Sequence, residues 1–210
     1  LTSLDAQAAL NNHTEADQAF DGPGCSPGTV QPARGQGACD KCEAGKFQHE
    51  QGETACFECT AGSYCDEGAS AALSCLEGAY SSITGLGAAA QCTVCPAGSS
   101  CSTGSLDHTP CSPGTVQPAA NQRACVKCEA GKYMSESGQT ACFECVAGSY
   151  CEAGASAPLP CPSGRHQNGT LAALNILMTS EHDCVECPSG SLCSTGAAEP
   201  TECSPGTVQP

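Results

Sequence analysis

The chain has 210 residues, of which 21 are Cys, 24 Gly and 14 Pro, while Trp is absent and Phe and Tyr number four each. That balance excludes a conventional large apolar core. It points to a scaffold in which covalent links replace burial, in an oxidising compartment. With 22 acidic residues against seven basic ones and a formal net charge of -15, the chain repels nucleic acid rather than steering it in, and the acidity serves solubility.

Residues 1–24 contain no cysteine before Gly24 closes the segment "LTSLDAQAALNNHTEADQAF" and its short tail. Leu1, Leu4 and Ala8 fit one short amphipathic helix or an extended arm. The segment has neither a basic start nor a continuous apolar block, so it does not read as a signal peptide, and the absence of an initial Met predicts a processed or excised start. No apolar run approaches the roughly 18 residues needed to cross a bilayer, so no membrane insertion is expected in this segment.

From Cys25 the chain repeats itself. Cys25 to Gly78 and Cys111 to Gly164 share 38 of 54 positions at an offset of 86, and "CSPGTVQP" at Cys25 and Cys111 returns at Cys203. The expected organisation is therefore a first long repeat at 25–110, a second at 111–202, and the start of a third at 203–210, an array cut from something longer. The second copy is longer only between Cys161 and Cys184, by six residues relative to Cys75–Cys92. The extra length lies near 168–183, in the most apolar stretch of the chain, "NGTLAALNILMTSEHD". With little of its own module to bury against, this stretch, the N-terminal segment, or both are predicted to dock on a neighbouring subunit.

Eleven cysteines, at 25, 42, 59, 75, 95, 111, 128, 145, 161, 187 and 203, are read as the openers of a C-x-x-G motif, alternating strictly with the other ten. If each opener bonds the next cysteine, the pairs are Cys25 with Cys39, Cys42 with Cys56, Cys59 with Cys65, Cys75 with Cys92 and Cys95 with Cys101. The second copy then repeats them: Cys111 with Cys125, Cys128 with Cys142, Cys145 with Cys151, Cys161 with Cys184 and Cys187 with Cys193. Cys203 is left unpaired within the chain, its partner lying beyond Pro210 or in another chain. Sequence alone does not fix connectivity, and a crossed scheme, Cys59 with Cys75 and Cys65 with Cys92, is the alternative. On the chain-entropy model a loop of about 14 residues contributes roughly 3 kcal/mol, so the bridges dominate stability.

The glycine of the motif suits a chain that reverses within three residues of a bridge, where a positive φ is needed. Five residues after the opener comes a large side chain: Phe47, Tyr64, Tyr80, Tyr133 and Tyr150, with Val30, Val116 and Val208 in the same register. Each ring is expected to cover its own module's disulfide rather than to form a ligand-stacking strip. The segments between are short, polar and rich in turn residues. The fold class that follows is small and disulfide-rich: an elongated rod of tandem cysteine-rich modules with short β-ribbons and little helix.

Chemistry finds few footholds. Cys39, Cys42, Cys56 and Cys59 have nearly the spacing of a four-thiolate zinc ribbon, recurring at Cys125, Cys128, Cys142 and Cys145; the pattern continues past four, which favours bridges over metal. Redox C-x-x-C centres need a lowered thiol pKa, whereas the intervening pairs, such as Phe57-Glu58 and Phe143-Glu144, give an acidic setting. His13, His49, His108, His166 and His182 show no i, i+4 pair and no repeat register. No catalytic residue, metal or other cofactor is expected. The sequons Asn12-His13-Thr14 and Asn168-Gly169-Thr170 mark Asn12 and Asn168 for covalent glycans.

The run "CEAGKFQHEQGETACFECTAGSYCDEGASAALSCLEGAY" resembles the ephrin-receptor-like cysteine-rich repeat, and more loosely the cysteine-rich modules of tumour-necrosis-factor and growth-factor receptors. The resemblance extends from Cys25 to Pro210. It implies an extracellular or cell-surface location, disulfides within modules and no intrinsic catalysis. Such repeats occur in animal receptors and in surface proteins of single-celled eukaryotes, some resembling mastigoneme (flagellar hair) components. Near-identity of successive copies suits a polymer with many equivalent surfaces. The functional expectation is an extracellular structural glycoprotein, a protomer of a filament, flagellar hair or surface coat, whose partners are itself and other extracellular proteins or glycans. The alternative is a ligand-binding receptor or surface-antigen ectodomain.

Overall fold

The computed structural model describes residues 24–33 and 36–207. The N-terminal segment with Asn12, and Val208, lie outside them. The described chain is built from two-residue strands joined as ten two-stranded sheets, with one short α-helix and two 3-10 turns. It is a small disulfide-rich fold of tandem ribbons.

Two compact units divide it: one through Leu76 together with Tyr80–Thr93 and Thr103–Leu106, the other comprising Glu77–Ala79, Val94–Ser102 and the chain from Asp107. In the first unit Thr29–Val30 pairs antiparallel with Asp40–Lys41, Lys46–Phe47 with Phe57–Glu58, and Ser63–Tyr64 with Leu73–Ser74. In the second, Thr115–Val116 pairs with Val126–Lys127, Lys132–Tyr133 with Phe143–Glu144, and Ser149–Tyr150 with Leu159–Pro160. Ser99–Ser100 with Thr109–Pro110, Arg165–His166 with Val185–Glu186 and Ser191–Leu192 with Thr201–Glu202 complete that unit's ribbons.

The local cause is the motif C-x-x-G. After Cys25, the Thr29 N–H donates to the Ser26 carbonyl at 3.0 Å. Gly28 sits at φ +87° behind Pro27, which is the arrangement of a type II turn: Pro presets the first central residue and Gly supplies the positive φ at the second. The turn hands the chain to a strand, and the strand pairs with the two residues between the cysteines of the following C-x-x-C.

Ten disulfides close along the chain: Cys25–Cys39, Cys42–Cys56, Cys59–Cys65, Cys75–Cys92, Cys95–Cys101, Cys111–Cys125, Cys128–Cys142, Cys145–Cys151, Cys161–Cys184 and Cys187–Cys193. None crosses another. The C-x-x-G string itself does not separate opening from closing cysteines, because it also begins at Cys65, Cys101, Cys151 and Cys193.

The apolar burial is dominated by the half-cystines, beside buried polar side chains such as Gln48 and Gln117 that donate to backbone carbonyls. In the second unit Val116, Cys128 and Met134 form one small cluster with Cys142 against it. Cys161, Met178 and Cys184 form another, covered by Tyr150 and Leu171. The ring of Tyr150 packs against this cluster, which holds the Cys161–Cys184 bridge of the next module. Phe47 and Tyr133 instead meet the aromatic side chain across their ribbon, Phe57 and Phe143, with ring centroids 6.1 Å apart in each pair, a tilted geometry that contributes on the order of 1 kcal/mol.

The apolar stretch 168–183 also folds onto its own module. Asn168 caps a helix at Gly169–Ala173, its Oδ1 accepting from the N–H groups of Thr170 and Leu171. The helix ends in a Schellman arrangement: Asn175 at φ +56°, with the Ile176 N–H donating to the Leu171 carbonyl and the Asn175 N–H to that of Ala172. Met178 is 4% exposed. Of the large apolar side chains of the stretch, Leu174 and Ile176, at 64% and 50%, stand out in solvent.

Candidate functional site

The feature with the most regular geometry is the step from one ribbon to the next. In the first unit the opener glycines donate their N–H onward: Gly28 to the Gln48 carbonyl at 2.7 Å, Gly45 to Cys65 and Gly62 to Ser81 at 2.8 Å each. In the second unit Gly78 donates to Cys101 and Gly98 to Gln117 at 2.8 Å, Gly114 to Met134 and Gly131 to Cys151 at 2.7 Å, and Gly164 to Cys193 at 2.9 Å. One step departs, where Gly148 donates to the Oε1 of the Gln167 side chain at 3.1 Å.

The same glycines accept from the next opener. The Cys42 N–H donates to the Gly28 carbonyl, Cys59 to Gly45 and Cys128 to Gly114, each at 2.9 Å. A third contact returns: Gly68 donates to the Cys42 carbonyl, Gly85 to Cys59 and Gly154 to Cys128, each at 2.8 Å. The backbones approach so closely there that a Cβ on Gly28 would collide with the carbonyl oxygen of Gly68, and one on Gly114 with that of Gly154. The glycine after Cys65 or Cys151 therefore exists for this return contact. Its signal in the sequence is the second C-x-x-G string, which spacing alone does not tell apart from the first.

Zinc ribbons and C-x-x-C redox centres need neighbouring free thiolates, and the bridges consume them. Cys39, Cys42, Cys56 and Cys59 are distributed over three separate disulfides, with Cys25, with each other and with Cys65. Among the described residues no group of three or more His, Cys, Asp or Glu side chains converges on a point. Cys203 is half-buried and carries no disulfide. Ten closed bridges require an oxidising environment, and no described helix is long and apolar enough to cross a membrane.

Of the two sequons only Asn168 is described. Its Oδ1 is occupied by the helix cap, while Gly169 and Thr170 are exposed. One carboxyl is displaced from its ordinary value. Asp183 is lowered, first by the hydrogen bond from the Thr179 N–H, then by Ser180 N–H, the Thr179 hydroxyl and the charge of His182, against a raising effect of burial.

Compared with known proteins, the chain matches no family model, and no curated protein shows significant similarity to it.

Proposed function

We propose that the chain is an extracellular structural glycoprotein, a repeat protomer of a filament, flagellar hair or surface coat, with no catalysis of its own. The supporting observation is the recurrence of one backbone junction, the opener-glycine N–H to a carbonyl of a following ribbon at 2.7–2.9 Å, at Gly28, Gly45, Gly62, Gly78, Gly98, Gly114, Gly131 and Gly164. A junction made by backbone groups is indifferent to the side chains around it, and equivalent units stacked this way add stability step by step. Such a chain supplies many like surfaces instead of one distinctive recognition site. The resemblance to ephrin-receptor-like repeats, with its surface location and mastigoneme-type examples, accords with this reading, as does the Asn168 sequon.

A receptor or surface-antigen ectodomain is the second reading, favoured by the helix Gly169–Ala173 and the exposed Leu174 and Ile176 beside it, which the first copy lacks.

Electron microscopy of the native material from its source tests the choice. Fibres with an axial repeat matching these modules are the expected result. Isolated or membrane-bound particles would overturn the structural reading in favour of the receptor.

A further inference from the structure

The two copies differ at one ribbon in a way that their shared fold does not require. In the first copy Lys41 pairs with Glu67 at 3.4 Å, and Asp40 stands beside it on the strand. At the matching positions of the second copy, an offset of 86, Lys127 is retained, but Val126 replaces Asp40 and Ala153 replaces Glu67. Among the described residues no carboxylate lies within ion-pair distance of Lys127.

Lys127 lines an open groove of about 530 Å³ together with Pro118, Val126, Lys132, Ala141, the bridged Cys128 and Cys142, and one acid, Glu129, which Lys132 offsets. Val126 is exposed while Val116 is buried in the cluster below. Lys132 reaches Glu129 only at 3.8 Å, whereas its counterpart Lys46 holds Glu43 at 3.1 Å. The second copy has thus lost two acids here and gained an apolar rim beside a free cation. The chemistry that fits is a peptide carrying both carboxylates and small apolar side chains.

The cysteine-free segment 1–23 has that composition: Asp5, Glu15, Asp17 and Asp21 without a single Lys or Arg, among Leu1, Leu4, Leu10, Phe20 and several Ala. We propose that the groove over the Cys128–Cys142 bridge receives residues 1–23 of a second copy of the chain, carboxylates against Lys127 and apolar side chains against Pro118 and Val126. A contact between two unlike surfaces, arm and groove, does not close on itself and propagates head to tail. The inference rests on the self-assembling reading above and names the joint.

The test mixes equal amounts of isotopically heavy and light chain, residues 1–210, joins touching lysines and carboxylates with a zero-length carbodiimide, and sequences the linked peptides by mass spectrometry. Links from Lys127 to Asp5, Glu15, Asp17 or Asp21 that combine heavy and light peptides are expected. Links confined to one isotope would overturn the proposal by making the occupant the chain's own arm, and so would the absence of links from Lys127 to the segment. The double variant Val126→Asp with Ala153→Glu, which restores the residues the first copy already carries on the same ribbon, is expected to weaken self-association by about tenfold in sedimentation, because an attractive contact becomes a repulsive one. Unchanged sedimentation, with ten bridges still closed by mass, would overturn it. Fibres in native material that lack the link would sink this joint alone and leave the assembly reading standing.

Discussion

The loops Cys75–Cys92 and Cys161–Cys184 perform the same task with different lengths, sequence separations of 17 and 23. In the shorter loop Leu86 is buried and its carbonyl accepts from the Cys65 N–H at 2.8 Å. In the longer one Met178 is buried and accepts from Cys151 at 3.2 Å. A 3-10 turn follows in both, Ala89–Gln91 and Glu181–Asp183. Gln91 Oε1 receives the N–H groups of Gly87 and Ala88 at 2.6 and 3.1 Å, and Asp183 Oδ2 those of Thr179 and Ser180 at 2.7 and 3.1 Å. The six added residues therefore do not form a new subdomain. They loop out as the capped helix at Gly169–Ala173, and the chain resumes the shared path before Met178. An insertion survives here because it enters and leaves between two fixed anchors, the ribbon before it and the buried Leu or Met after it.

The comparison breaks most severely at the bridges. Replacing both cysteines of either loop by Ser is expected to cost about 2–5 kcal/mol, nearly the same in the two copies because closure entropy grows only with the logarithm of length; thermal unfolding without reductant measures it. Next come the anchors. Met178→Ala and Leu86→Ala each remove a buried apolar side chain and are expected to destabilise by about 2–4 kcal/mol, while the exchanges Met178→Leu and Leu86→Met cost under about 1.5 kcal/mol. A large asymmetry between the exchanges would show that the anchors are not equivalent.

Deleting Gly169–Leu174 restores the first copy's spacing at the expense of the Leu171 contact. A loss of about 1 kcal/mol or less is expected by denaturant titration; a collapse of the fold would mean that the helix is structural. The smallest effect is electrostatic. Asp183 has a lowered pKa in the folded chain, so its stabilising contribution is complete above the ordinary aspartate value of 3.8 and is lost as pH falls through the lowered value. Asp183→Asn should remove that acid dependence from the turn, and Gln91→Glu should introduce it into the first copy. Amide exchange at Thr179, Ser180, Gly87 and Ala88 between pH 2 and 5 reads both.

Much of this architecture is legible in the chain because cysteine and glycine report geometry directly. The alternation of cysteines suggests the pairing of each opener with the next cysteine, over the crossed alternative, and Gly28 and Gly114 announce turns that need a positive φ. Six of the ten ribbons use the two-residue spacer of a C-x-x-C as their second strand, and the other four use the two residues just before Cys75, Cys111, Cys161 and Cys203. Other features depend on contacts that no spacing encodes. The equivalence of Leu86 and Met178 is hidden by the insertion between them and their reference cysteines. The contact of the Tyr150 ring with the cluster that holds the next bridge is a matter of packing. That Lys127 has no carboxylate partner among the described residues emerges only when Glu67, far from Lys41 in sequence, is seen to pair with that counterpart in the first copy.

The glycine-to-carbonyl junction has a genetic corollary. Because every described step but that at Gly148 is made by main-chain groups alone, the face a module offers its successor depends little on which copy it came from. Misaligned recombination between copies at matching register, Cys25 for Cys111 or Cys42 for Cys128, yields a longer or shorter coding sequence in which every junction still has its donor and acceptor. Length can thus drift by whole modules without passing through an unfoldable intermediate, and chains of many sizes are reachable from this one by duplication alone.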